Sequence, residues 1–221
     1  MALGRLTVFI LIDTSGSMAG EPMTSLLGNL RLLKDAMSKN DLIHGRVDVC
    51  LVGFSGEARL LAPPVSLDDI EFPADLETAG STATGAAIDL MLEVRSRPSE
   101  MPSLCRLAPV ALLVSDGVAT DDFDAAIGRV DAASWSARVA WGLSGADEGQ
   151  LERFVGERQC RSSHLSLFGQ DAGAGAVTRF CLMLSLILGN EDSGGNSASL
   201  PGGLGPTAPS ARAGLRPDDS A

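Results

Sequence analysis

Residues Leu6 to Ile12 form an unbroken apolar or β-branched run that ends in Asp13-Thr14-Ser15-Gly16-Ser17. A run of this length bounded by a turn signal predicts a strand buried on both faces, which requires helices packed on either side of a sheet. A second such run, Pro109 to Ser115, ends in Asp116-Gly117. The intervening pattern alternates strand with helix, which defines an α/β class. In an open sheet of that class, ligands bind outside the carboxyl ends of the strands, where strand order reverses. The oxygen-bearing residues after the first run therefore stand where function is expected. Asp13, Ser15 and Ser17 offer only hard oxygen ligands, which suit Mg²⁺, Mn²⁺ or Ca²⁺ and not zinc. A polar turn or a helix cap accounts for the same residue types.

The elements follow from periodicity and punctuation. Glu21-Pro22-Met23 opens a helix with Pro in its first turn, and Leu26, Leu30, Leu33 and Met37 share one face. Arg46 to Phe54 reads as a second strand. Ala58 to Leu61 reads as a short third strand, joined by a hairpin at Ser55-Gly56-Glu57 and stopped by Pro63-Pro64. An acidic linker, Ser66 to Glu77, leads to a loop around Thr82 and a helix through Arg95. Asp122 can cap a helix carrying Phe123, Ile127 and Val130. Arg138 to Leu143 is a further strand, Asp147 can start a short helix with Leu151, Phe154 and Val155, and His164 to Phe168 is the last strand. Asp171 begins a terminal helix with Val177, Phe180, Cys181, Leu184 and Leu188 on its buried stripe and Gly189 at the C′ position. From Asn190 onward Gly, Ser, Pro and Ala dominate, a composition that cannot offset its ordering entropy. The expected organisation is one domain over 1–189 and a disordered tail over 190–221.

Charge and composition exclude several classes. The chain of 221 residues carries a formal net charge of −11, which argues against nucleic acid and anionic membrane as partners. The four cysteines, Cys50, Cys105, Cys160 and Cys181, have no Cys-x-x-Cys spacing and read as buried thiols. Asp13 cuts the first apolar run at seven residues, at the very bottom of the range for a secretory signal. No run of apolar residues approaches the roughly 20 of a membrane span, so the expected location is cytoplasmic. Enzymatic readings fare poorly. A haloacid-dehalogenase nucleophile needs a second Asp where Ser15 stands, and Gly80 to Gly85 has P-loop glycine spacing but Ala86-Ala87 in place of Lys-Ser/Thr. The two histidines, His44 and His164, have no partner at ligand spacing, which leaves no general base near neutral pH.

Asp13-x-Ser15-x-Ser17, Gly80-x-Thr82-x-x-Gly85-x-Ala87 and Asp116-Gly117, in this order, resemble the metal-ion-dependent adhesion site (MIDAS) of von Willebrand factor A (VWA) domains. The resemblance implies a doubly wound, Rossmann-like, mostly parallel six-stranded sheet of order 3-2-1-4-5-6, with strand 3 an antiparallel edge and helices on both faces. It implies a metal site of Asp13, Ser15, Ser17, Thr82 and Asp116, holding Mg²⁺ (or Mn²⁺ or Ca²⁺). Ser15, Ser17 and Thr82 would coordinate directly, and Asp13 and Asp116 largely through water. Thr82 is also a plausible helix N-cap. Five ligands from one chain leave a sixth octahedral position, implying a protein-binding module without catalytic activity whose partner supplies an acidic side chain. Met18, Glu21, Met23, Gly80, Ser81 and Asp121 are the expected rim contacts. Within the family, Arg5-Leu6-x-Val8, Ile12 to Met18, Gly20-Glu21-Pro22 and Ser115-Asp116-Gly117-x-x-Thr120-Asp121-Asp122 are similar to the bacterial TerY type, associated with tellurium resistance and stress response. That likeness implies a scaffold working with a PP2C-like phosphatase and a Ser/Thr kinase; an AAA+ ATPase of the MoxR or chelatase kind is the alternative partner.

Overall fold

The computed structural model describes residues 4–97, 107–143, 145–156, 164–166 and 172–192. Along the chain run β1 (Leu6–Asp13), α1 (Glu21–Ser38), β2 (Val47–Phe54), β3 (Ala58–Ser66), α2 (Thr84–Ser96), β4 (Val110–Ser115), α3 (Phe123–Asp131), β5 (Ala137–Gly142), α4 (Glu148–Val155), β6 (His164–Ser166) and α5 (Ala172–Asp192). The strands hydrogen-bond in the order β3-β2-β1-β4-β5-β6. Every pairing is parallel except β2 with β3.

β1 shows how the sequence produces this. All eight of its residues are buried, and successive side chains leave opposite faces of the sheet. Leu6, Val8, Ile10 and Ile12 enter a core shared with α1 and α5. Phe9 and Leu11 enter the core beneath α2, α3 and α4. Burying each such side chain contributes about 1.5–3 kcal/mol, so one strand ties together both layers of helices. The predicted face of α1 (Leu26, Leu30, Leu33, Met37) is buried. Asp122 and Asp147 cap α3 and α4, accepting from the Ala125 and Gln150 amides at 3.3 and 2.9 Å.

Three expectations need correction. β3 does not stop at Pro63-Pro64 but runs through to Ser66. It lies on the edge of the sheet, where missing donors are tolerated, and the β2–β3 register shifts between Val49 and Val52, where the prolines fall opposite. α5 continues past Gly189 to Asp192, so Gly189 is an interior helical residue. Gly173–Asn190 is also long and apolar enough to cross a membrane by length and composition. One face of it, Ala176, Val177, Phe180, Cys181, Leu184 and Leu188, is buried in the α1-side core. Cys50 and Cys181 are buried thiols. Cys105, Cys160, Asp171, the continuation of the sixth strand beyond Ser166 and the tail beyond Asp192 lie outside the described residues.

Candidate metal centre

β1 and β4 lie side by side with Ile12 opposite Val114, so both strands deliver carboxylates to the same end of the sheet. The chain leaving β1 is pinned at once. The Thr14 amide and hydroxyl both donate to the Phe54 carbonyl at the end of β2, at 2.7 and 3.0 Å. The Thr14 carbonyl accepts from the Ala79 amide at 3.0 Å, and the Gly16 amide donates to the Gly80 carbonyl at 3.1 Å. These bonds draw the loop that carries Thr82 against the end of β1, although it lies some sixty positions further along the chain.

Inside this cluster Asp13 is fully buried. Its Oδ1 accepts from the Ser15 amide at 2.8 Å and its Oδ2 from the Ser115 hydroxyl at 2.5 Å. The Ser15 and Ser17 hydroxyl oxygens are 3.0 Å apart, and the Ser17 hydroxyl donates to Asp116 Oδ1 at 2.8 Å. Thr82 is buried, with its Oγ1 and methyl against Gly117, the residue after Asp116. Four of the five expected ligands are thus joined by hydrogen bonds, and the fifth lies against Gly117, next to Asp116. Burial holds the Asp13 carboxyl above its ordinary value; the bonds from Ser115 and Ser15 oppose that rise and the Asp116 charge adds to it.

The donor set is short of positive charge. Among the described residues no cationic side chain bonds to Asp13 or Asp116, so two carboxylates and three hydroxyls converge with only other oxygens and amides for company. A hard divalent cation fits that set, and an opposite charge would favour the buried carboxylate. Among the described residues there is no cluster of three His, Cys, Asp or Glu side chains able to hold a metal, so the hydroxyl-rich set is the one centre to consider.

The expected rim residues divide. Glu21, Gly80 and Ser81 are exposed. Met18 and Met23, at 0 and 3% exposure, are part of the α1-side core and present nothing to a partner; both sit where α1 begins and turn their apolar side chains inward. Asp121 is exposed, but its two carboxylate oxygens accept from the Gly85 and Ala86 amides at 3.0 and 2.8 Å. Its carboxylate therefore binds the start of α2. Thr82 does not cap α2: the N-cap is Ala83, without a side-chain bond. Sequence reasoning missed Ser115 and Thr120. The first was detectable, because the β1–β4 register continues Ile12↔Val114 to place Asp13 beside Ser115. Val118, which follows Asp116-Gly117, is exposed.

An open parallel α/β sheet with hydroxyls and carboxylates gathered where its strand order reverses defines a class of ligand-binding domain. The von Willebrand factor type A domain family model matches residues 7–172, and the chain belongs to that family. Among solved structures it is similar to the PilB minor pilin from Streptococcus sanguinis, with 16% identity and a TM-score of 0.65 over 85% of this chain and 63% of the pilin. It is similar to the conserved hypothetical protein BatB from Bacteroides thetaiotaomicron, with 14% identity and a TM-score of 0.56 over 82% of this chain and 98% of that one. Proximal thread matrix protein 1 from the mussel byssus, described with a zinc-occupied MIDAS motif, is 17% identical with a TM-score of 0.57 over 81% of this chain and 46% of its own. The chain spans less than two thirds of the pilin's length. At these identities the likeness is one of fold. No protein of curated function matches the chain by sequence.

Proposed function

We propose that the chain is a metal-dependent protein-binding module in which Asp13, Ser15, Ser17, Thr82 and Asp116 hold one divalent cation. The observation that carries the reading is the convergence of three hydroxyls and two carboxylates, drawn from three separate segments, with no cationic side chain among the described residues to neutralise them. The cation, when bound, offers an open coordination position to an acidic side chain of a protein partner. Mg²⁺ or Mn²⁺ is the preferred ion because the donors are hard oxygens and few carboxylates are free to wrap a larger ion. Both Asp13 oxygens are already engaged, which suits a carboxylate that orients the site from behind. Ser15, Ser17 and Thr82 hydroxyls supply direct, uncharged contacts and leave the ion electrophilic. Glu21, Gly80, Ser81 and the 53% exposed Val118 form the surrounding contact surface. The reading is non-catalytic.

On the motif likeness alone, the module belongs to an intracellular bacterial stress or tellurium-resistance system with a PP2C-like phosphatase and a Ser/Thr kinase; the genes beside its own distinguish this from partnership with an AAA+ ATPase. The direct test is calorimetry of the full chain with Mg²⁺, Mn²⁺ and Ca²⁺. Wild type should bind one ion, and Thr82→Ala and Asp116→Ala should weaken binding at least tenfold with circular dichroism unchanged. Equal binding by all three proteins overturns the reading.

A further inference from the structure

Thr82 reaches the candidate centre on a loop with no regular structure, between a long linker and the first turn of α2. Something must fix it, because a ligand that is correctly placed only part of the time weakens apparent affinity by that fraction. The flanks of Thr82 are tied by bonds of Ala79 to Thr14, Gly16 to Gly80 and Ala83 to Ser55, but among the described residues the long-range bonds of Thr82 itself go to one neighbour. The Thr82 amide donates to the Thr120 hydroxyl at 3.1 Å, and the Thr82 carbonyl accepts from the Thr120 amide at 2.8 Å. The next residue, Asp121, takes the first free amides of α2 at Gly85 and Ala86, and the residue after that, Asp122, caps α3.

We propose that Thr120 and Asp121 are positioning residues of the centre: they clamp the Thr82 loop and the start of α2 onto the loop that carries Asp116, so that the second and third segments of the site move as one piece. This rests on the metal reading given above. Three further observations support it. α2 has no cap of its own, its N-cap Ala83 making no side-chain bond, so the carboxylate of Asp121 is the cap, supplied from 36 residues away. Such a carboxylate also suits the positive end of the helix. A Cβ on Gly85 would lie 2.9 Å from Asp121 Oδ2 and 3.1 Å from the Asp122 carbonyl, so the glycine is what allows the clamp to close. The far side of the same loop is tied down as well, the Ala119 amide donating to Gln150 Oε1 of α4 at 2.8 Å.

Simple helix capping would involve Asp121 alone. The clamp also involves Thr120, which touches Thr82 and not the helix, and this difference makes the inference testable. Mn²⁺ affinity of the full chain is measured by calorimetry for wild type, Thr120→Val, Thr120→Ser, Asp121→Ala and Asp121→Asn. Asp124→Asn, an exposed first-turn acid of α3 that pairs with Arg153, is the control. All are assayed at a temperature where each is fully folded by circular dichroism. Thr120→Val and Asp121→Ala should each weaken Mn²⁺ binding on the order of tenfold, the usual effect of losing a hydrogen bond that holds a ligand in place. Thr120→Ser, which keeps the hydroxyl, should bind within about twofold of wild type, and Asp121→Asn, which keeps one acceptor oxygen, should fall between. The control should bind as wild type does. Wild-type affinity in Thr120→Val and Asp121→Ala overturns the clamp and leaves the metal reading standing. Weakening in Asp121→Ala alone also overturns it, in favour of capping. Failure of the wild type to bind Mn²⁺ at all overturns the metal reading and the clamp with it.

Discussion

Replacing Asp13 with Asn separates what the centre costs from what it gains. In the metal-free chain Asp13 is fully buried, and its carboxyl is pushed up, chiefly by burial, from an ordinary value of 3.8. The folded chain then holds this proton more tightly than the unfolded one. Its stability falls as pH rises from that ordinary value through the raised one, and stays lowered at neutral pH. Asn carries no charge to bury. The geometry limits what the change gives up: an amide oxygen still accepts from the Ser15 amide, and the Ser115 hydroxyl, losing Oδ2, has the Gly117 carbonyl 3.5 Å away. The loss is one hydrogen bond, about 1 kcal/mol, against about 1.4 kcal/mol recovered for each unit by which burial lifts the carboxyl. A cation at a hundredfold excess over its dissociation constant stabilises the wild type by about 2.7 kcal/mol, a rise in Tm of about 5–11 °C for a domain of this size. Calorimetric Tm values in chelator and in MgCl₂, at pH 5 and 7.5, should therefore cross. In chelator at pH 7.5 the Asn variant is at least as stable as wild type, with an advantage that shrinks toward pH 5. In Mg²⁺ the wild type rises and the variant barely moves. A variant destabilised by more than about 1 kcal/mol in chelator, or one that gains as much from Mg²⁺ as wild type, refutes the argument.

Gly156→Ala should be among the most damaging single-methyl additions: Gly156 has a φ of +76°, and a Cβ there would lie 2.1 Å from the Arg138 guanidinium, which is buried and paired with Asp131 at 2.6 Å. Positive-φ backbone strain plus displacement of the buried Arg138 side chain implies a loss of about 1–3 kcal/mol in urea titration; a loss under about 0.5 kcal/mol contradicts it. Burial raises the Cys181 thiol to about 11, so at pH 8 it is almost entirely protonated, and iodoacetamide followed by peptide mapping should label Cys50 and Cys181 only after unfolding.

What could be read from the sequence, and what could not, follows from the range of the forces involved. β1 and β4 were legible because a strand buried on both faces must be apolar at every position, and its polar ending marks where it emerges. The caps at Asp122 and Asp147 were legible because each side chain bonds an amide three residues on. Asp121 has the same chemistry but caps a helix 36 residues earlier, and no local pattern separates such an acid from one that faces solvent. Met18 and Met23 are apolar wherever they point, so composition did not reveal that they turn inward. The third strand was legible as an edge, yet the prolines at 63 and 64 read as its end; the register shift that lets β3 pass them and pair again at Val65 depends on β2 and leaves no local trace.

That proline pair has a consequence for how the chain behaves in company. A sheet with an open edge is a template on which another chain can lay down a strand, and many such additions make a fibre. Within β3, on the outermost position of the sheet, Pro63 and Pro64 have no amide hydrogen, and because alternate residues of a strand face its open side, one donor is missing there. A strand docking there would lose a ladder bond, which disfavours its addition. The same pair that cost β3 nothing within the fold therefore makes its open side a poorer template for a second chain.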